Sequence, residues 1–561
     1  MELIKYPSLM RIVENPRALE KVVLISFFSA VLLVTPYSVT DPINLPKMLV
    51  IGIFGFICLG FLLQNQIIRQ MRTEWYLPLL SLLFILHSLI VFIFSGRNLN
   101  EGFYGISGRN TGLLTYFSFI FVCMAASIVS GVKFLNNFLL VFLIVGCLLL
   151  LYGFFQYKGL EPFPYVNAYA NNVFGTFGNP NFQSAFIGIF GSIVFALCFD
   201  SSLSKFKRAI MAILVLLSVL EIFLTNSWQG FFNFAAGLGV AVTLVFFRMN
   251  KPKIAFTLLG LGVLGASITA FGLLNIGPLA STLEKASLTA RRFYWEAAIN
   301  LMFKHPLIGV GFDGYGDWYR RGRSNNAFSQ NVNLVSDSSH SVPLDIGASG
   351  GFPLLLLYFL LICLVIVSII RIVRNNSKLS IPFIAIVAAW VSYQAQSLIS
   401  INQIGLGIAG WTLSGLIIGF ASKESEDIET KNANPLGQKS RNKALNFTGP
   451  IIGLTVGALI SLPPFIAANK FYEGLKSSDA RIINTNAYLK PLEPRRMVMS
   501  ASILEQNNFH KEALEITRFA TRNFPDCYAA WTLLSSLKDA SESDKTYAKS
   551  ELERLDPNIV N

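Results

Sequence analysis

Residues 352–370 read FPLLLLYFLLICLVIVSII, nineteen positions without a charge. A helix needs roughly 20 apolar residues to cross bilayer hydrocarbon, so this stretch predicts a membrane span. Similar apolar cores recur on either side, at 22–36, 48–63, 77–94, 113–129, 138–155, 182–199, 210–224, 231–247, 254–274, 381–398, 404–420 and 450–468. Repeated spans of this length predict an all-α, polytopic transmembrane helical bundle of about 12–13 spans, whereas a barrel would show short alternating strands. The composition agrees. Only 14% of the 561 residues are charged and 53% are hydrophobic, against ~25% charged in soluble domains.

The spacing of the spans divides the chain. Residues 1–421 form the transmembrane domain, interrupted by a large polar loop at 278–351. A polar stretch at 422–447 reads as a cytoplasmic linker, 448–468 as the last transmembrane helix, and 469–561 as a soluble external tail. In the tail, Asn508, Ala513, Ala520 and Pro525, followed by Trp531, Leu534 and Ser535, fit a short tetratricopeptide-like helical repeat. Such helix pairs bury little alone, which predicts packing on the membrane domain or on a protein partner.

The net charge of +13 would suit a nucleic-acid binder, but its placement does not. With the N-terminus inside, Lys5, Arg11, Arg17, Lys21, Arg69, Arg72, Lys133, Lys205, Lys207, Arg208, Arg248, Lys251, Lys253, Arg371, Arg374, Lys378 and the lysines of 423–443 all fall in cytoplasmic segments. The short opposite loops hold mainly Lys47, Arg97, Arg109 and Lys158. That asymmetry is the positive-inside rule, so the basic excess orients the protein and predicts no nucleic-acid partner. Loops 95–112 and 278–351 and the tail then lie outside. No cleavable signal peptide is evident, since Lys21 precedes an apolar run without a small-residue cleavage site. Five of the six cysteines lie in spans, and there is no CxxC or His/Cys cluster, so no metal site is expected.

Chemistry concentrates in the large loop. His340, in Asp337-Ser338-Ser339-His340-Ser341, can move a proton near neutral pH, and arginines at 291, 292, 320, 321 and 323 can hold phosphate oxygens. The segment 289–305 reads as an amphipathic helix suited to the membrane interface, with Arg291 and Arg292 near its N-terminus, where free amides favour anions. Of the other histidines, His87 fits a polar contact between helices, His305 a helix-end cap, and His510 a solvated face. Arg109 sits among glycines in Gly108-Arg109-Asn110-Thr111-Gly112, where a turn and a ligand contact are both open readings. Asn179-Pro180-Asn181 is turn chemistry with Asn181 as the expected helix cap, and Glu221 suits a helix–helix hydrogen bond.

These residues together resemble the O-antigen ligase and polymerase-like superfamily of bacterial envelope proteins. The carriers are Gly108 to Leu114, Gly178-Asn179-Pro180-Asn181, Arg291 to Trp295, His305-Pro306-Leu307-Ile308-Gly309-Val310-Gly311, and His340-Ser341 leading to Gly350-Gly351. The resemblance implies a GT-C-like bundle acting as a metal-independent, cofactor-free, inverting glycosyltransferase at the outer face of a bacterial inner membrane. It implies an undecaprenyl-pyrophosphate-linked glycan donor and an acceptor hydroxyl on a lipid, a glycan or a protein. By the same resemblance His340 activates that hydroxyl, while Arg291, Arg292 and Arg109 hold the pyrophosphate, with Asp337, Asn179 and Asn181 in support. The alternatives are a polysaccharide polymerase, a protein O-oligosaccharyltransferase, or a polysaccharide transporter. The chain departs from the family pattern in two places. Thr225-Asn226-Ser227-Trp228-Gln229-Gly230 lacks the arginine of many ligases, and Gly351-Phe352-Pro353-Leu354 lacks the small or tyrosine residue that often ends the histidine motif.

Overall fold

The computed structural model describes residues 16–64, 75–163, 169, 172–283, 286–331, 333–375, 379–429 and 447–559. Most of the linker expected at 422–447 lies outside these residues, as do Lys5, Arg11, Arg69, Arg72 and Lys378. Among the described residues the chain is helical with no strand. The bundle helices are α1 (Pro16–Leu32), α2 (Asn44–Leu62), α3 (Tyr76–Phe94), the short α4 (Leu99–Tyr104), α5 (Leu113–Val129), α6 (Val132–Tyr157), α7 (Pro180–Leu197), α8 (Lys205–Leu224), α9 (Trp228–Arg248) and α10 (Pro252–Leu273). The large loop folds as α11 (Ala286–Lys304), α12 (Tyr315–Gly322) and α13 (Asn325–Gln330). The bundle then resumes with α14 (Val342–Arg374), α15 (Ile381–Ser397), α16 (Ile404–Glu429) and α17 (Thr448–Ser477).

All thirteen expected apolar cores fall on helices. By length and composition, nine helices among the described residues can cross a membrane, and α5 is a shorter apolar one. Of the rest, α1 and α15 have seventeen residues each, while α8 carries Lys205, Lys207, Arg208 and Glu221. The helices alternate in direction, so their loops collect at two ends. At one end Asn44 Nδ2 donates to Gly108 O at 2.7 Å, Gln403 Nε2 to Asn44 Oδ1 at 3.2 Å, and Thr176 Oγ1 to Val31 O at 2.7 Å. Loops 95–112 and 278–351 and the tail share this end.

Several polar residues inside the bundle are structural. His87 Nε2 lies 2.8 Å from Gly350 O, the expected helix–helix contact, and Gln183 Nε2 donates to Glu221 at 2.6 Å. Lys47 is not a loop charge. It is fully buried and donates to Ala30 O and Val31 O at 3.0 and 2.6 Å, closing the last turn of α1. The α7 cap is Asn179, not Asn181: its Oδ1 accepts from the Asn181 amide, with Pro180 opening the helix. Along α17, small residues let the helix lie against α2, where a Cβ at Gly60 would stand 2.2 Å from Gly449 O.

The tail comprises α18 (Ala480–Ala487), α19 (Pro494–Gln506), α20 (His510–Asn523), α21 (Tyr528–Ser536) and α22 (Glu542–Leu555). It has its own core, in which Ala513, Ala520, Trp531 and Leu534 are buried. It also packs on the large loop, as the marginal burial of such pairs predicts. Arg323 donates to Asp556 at 2.5 Å, both groups buried, and Arg320 Nε lies 3.7 Å from the same carboxylate. Arg320 also covers the Tyr528 ring at 3.8 Å, while Arg321 pairs with Asp526 at 3.2 Å. Three of the arginines read as anion clamps are therefore occupied in docking the tail.

Candidate functional site

The site begins with a broken helix. Gly351 has φ +72°, a left-handed value that divides α14 into a short first part and the membrane span proper. The break frees carbonyls that need new donors. Val310 N donates to Ala348 O at 2.8 Å, Gly311 N to Ser349 O at 3.0 Å, and the His87 ring meets Gly350 O. In return Phe352 N donates to Pro306 O at 2.9 Å. The His305-to-Gly311 stretch thus serves to stitch the loop onto α14, holding the segment before Val342 in place. His305 itself packs edge-on against Trp318, with ring centroids 4.7 Å apart.

His340 sits just ahead of α14 with φ +56°, a conformation that costs an ordinary residue on the order of 1–2 kcal/mol. Such strain persists only where neighbours enforce it. Here the Ser338 hydroxyl accepts from His340 N at 3.0 Å and donates to Asp345 Oδ2 at 2.7 Å. Asp345 Oδ1 accepts from Ser339 N at 2.7 Å. Ser338, Ser339 and Asp345 are all buried, whereas the imidazole is half-buried.

The imidazole tautomer follows from its neighbours. His340 Nδ1 lies 3.2 Å from Ser338 O, which can only accept, so Nδ1 carries the proton. The Ser336 hydroxyl, 3.5 Å from Nδ1, gives its single proton to Ser338 O at 2.7 Å and cannot donate to the ring. Nε2 is left with its lone pair. Burial, and then the Arg291 charge, lower the His340 pKa from its ordinary 6.5 to about 4, so the ring is neutral at physiological pH. Asp337, which is exposed, pulls weakly the other way.

Arg291 reaches this ring through Tyr294, one helical turn on, whose ring centroid is 5.2 Å from that of His340. Burial lowers the Arg291 pKa, yet a guanidinium stays charged. Among the described residues Arg291 has no hydrogen bond or ion pair, and Arg292 Nε and Nη2 are buried without a partner. Arg291, whose charge acts on the imidazole, and its neighbour Arg292 are thus left without an anion among the described residues. Helix α11 starts at Ala286, so neither arginine stands at its N-terminus, and the first-turn amides are not what flanks them. On its apolar side Ala297, Ala298 and Leu301 pack on Val310, Tyr315, Tyr319 and Ala348, while Ile299 and Phe303 stay outside.

Arg109 is brought to the same loop but is taken up by carboxylates. It lies 3.6 Å from each of Asp313, Asp337 and Asp345 and donates to Asp337 O at 2.9 Å. Asp313 is fixed in turn by Thr111 Oγ1 at 2.5 Å and by the Thr111 and Ile106 amides. Arg109 is therefore engaged by the loop's own carboxylates. Asn179 and Asn181 lie at the same end of the bundle, but no hydrogen bond or ring contact joins them to His340. Ser227 Oγ donates to Asn181 Oδ1 at 2.7 Å, so the turn without an arginine meets the Asn-Pro-Asn turn. Asp345 and Asp313 were not singled out by sequence reasoning; a lone carboxylate at the head of an apolar helix was the available signal.

No curated protein matches the chain. Residues 212–359, which include Arg291, Arg292, His340 and Asp345, match the family model described as O-antigen ligase. Over that segment the chain is similar to the O-antigen ligase family, which supports glycan transfer in the broad sense, and its long apolar helices make it a multi-pass membrane protein.

Proposed function

We propose that the protein transfers a glycan from undecaprenyl pyrophosphate to an acceptor hydroxyl at the outer face of the inner membrane. The observation that carries this reading is the pairing of a neutral His340, with Nε2 free, and the unpartnered charge of Arg291. The acceptor hydroxyl donates to Nε2 and loses its proton there as its oxygen attacks the anomeric carbon. The bond from that carbon to the phosphate oxygen breaks, and the electron pair leaves with undecaprenyl pyrophosphate. Arg291 and Arg292 stabilise the leaving diphosphate, which assigns charge stabilisation to guanidinium groups and no role to a metal. Attack opposite the leaving group inverts the anomeric centre. The acceptor decides between ligase, polymerase and protein O-oligosaccharyltransferase.

Sidedness is supported by charge. Lys133, Lys205, Lys207, Arg208, Arg248, Lys251, Lys253, Arg371 and Arg374 gather at the end opposite His340, the pattern of a cytoplasmic face. The tetratricopeptide-like tail, docked beside the site, is read as a surface for the acceptor or a protein partner.

The test is reconstitution of purified protein with undecaprenyl-pyrophosphate glycan and lipid, glycan and protein acceptors. Glycosylated acceptor with free undecaprenyl pyrophosphate is expected. Movement of intact donor across vesicles without a new glycosidic bond would make it a transporter instead. In cells, a Ser329→Cys variant, at an exposed position of the same loop, should react with an impermeant maleimide from outside; labelling only from the cytosol contradicts the sidedness.

A further inference from the structure

Beneath His340 lies a buried charge cluster that the reaction does not consume. Asp345 receives the Ser338 hydroxyl and the Ser339 amide, each at 2.7 Å, and faces Arg109 at 3.6 Å. Arg109 also bonds Asp337 O at 2.9 Å, so it grips the loop one residue before Ser338. Loop 105–112 in turn wraps Asp313, which stands 3.6 Å from the Arg109 Nε. Two loops far apart in sequence are thus closed on one guanidinium. The group they position is Ser338, whose carbonyl faces Nδ1 and whose hydroxyl receives the His340 amide.

We propose that Asp345 and Arg109 are positioning residues that hold His340 in its left-handed conformation and fix its Nδ1–H tautomer through Ser338. The proposal rests on the reading of His340 as the base and adds how that base is prepared. A base helps only in the right tautomer and within reach of the hydroxyl, and a third group commonly orients it. Asp345 never meets the substrate. It acts through Ser338, and Arg109 acts through Asp345 and the Asp337 carbonyl. Breaking the brace lets Ser338 turn, frees Nδ1, and lets the proton move to Nε2, where the ring can no longer accept.

The chain has only four histidines, which makes the tautomer measurable by ¹⁵N NMR of histidine-labelled protein in liposomes at neutral pH. His340→Ala assigns the signal. His87, bonded to Gly350 O, reports that the fold around α14 is intact. Wild type should show protonated Nδ1 and bare Nε2 at His340. Asp345→Asn, and the milder Ser338→Ala, should populate the other tautomer with the His87 signal unmoved. Turnover should fall on the order of 10²-fold with the donor dissociation constant unchanged, and Asp345→Glu should restore part of it. An unchanged His340 tautomer together with full turnover in both variants overturns the proposal. Should Asp345→Asn not fold, Ser338→Ala decides alone. Full activity of His340→Ala would instead remove the base reading, an outcome distinct from loss of the brace.

Discussion

Two sets of arginines occupy one loop and differ in what surrounds them. Arg320, Arg321 and Arg323 stand in Tyr315–Gly322 and just after it, each answered by a carboxylate or a ring of the tail. Arg291 and Arg292 stand in Ala286–Lys304 with no protein anion among the described residues. Sequence gives both sets the same chemistry. The structure separates them by partner: a satisfied guanidinium is mortar, and an unsatisfied one beside a neutral base is available to a ligand. The first set lets the tail cover one flank of the loop, and the second leaves the other flank charged.

The sharpest way to break this contrast is Arg323→Ala. It takes from the buried Asp556 carboxylate its closest partner, leaving only Arg320 at 3.7 Å, and the loss of a buried pair's partner costs roughly 3–5 kcal/mol. The tail should come loose at lower denaturant, read by limited proteolysis in detergent, while donor affinity in the remaining folded protein stays as in wild type. Next is Arg291→Ala, which on the proposed mechanism removes charged hydrogen bonds to the diphosphate worth about 1.5–3 kcal/mol and should leave stability unchanged. Titration with donor should show that loss, and equal affinity would move the phosphate site elsewhere.

A smaller effect concerns pH. With His340 as the proposed base, activity needs it neutral, so kcat/KM should be flat near neutrality and fall as pH drops toward about 4. Burial is the first cause of that low value and the Arg291 charge the second. Arg291→Ala should therefore move the acid limb upward, whereas Arg320→Ala should not move it. The smallest change belongs to Arg320→Ala, since its stacking on Tyr528 is worth about 0.5–1 kcal/mol in a melting experiment. A loss of donor binding in that variant would erase the distinction between the two sets.

The bundle was legible because membrane spans are written in uninterrupted apolar runs, and all thirteen cores lie on helices. His340, Arg291 and Arg292 were legible as types of residue in a polar loop. Their meeting was not, because it depends on α11 folding back onto the head of α14 through Ala297, Leu301, Val310 and Ala348. The fate of Arg109 was hidden for the same reason. Its partners Asp313, Asp337 and Asp345 lie more than two hundred residues along the chain, and each looks like an ordinary loop or helix-start aspartate. The tail's packing was expected but its contacts were not, because only the folded loop places Arg323 against Asp556.

On the proposed mechanism His340 takes the acceptor's proton and does not bind the donor. Single-turnover transfer by His340→Ala, with donor binding measured on the same preparation, tests it most directly. The expected result is a rate lowered by about 10²–10⁴-fold with the donor dissociation constant unchanged. Transfer at the wild-type rate, or a loss confined to donor binding, would contradict it.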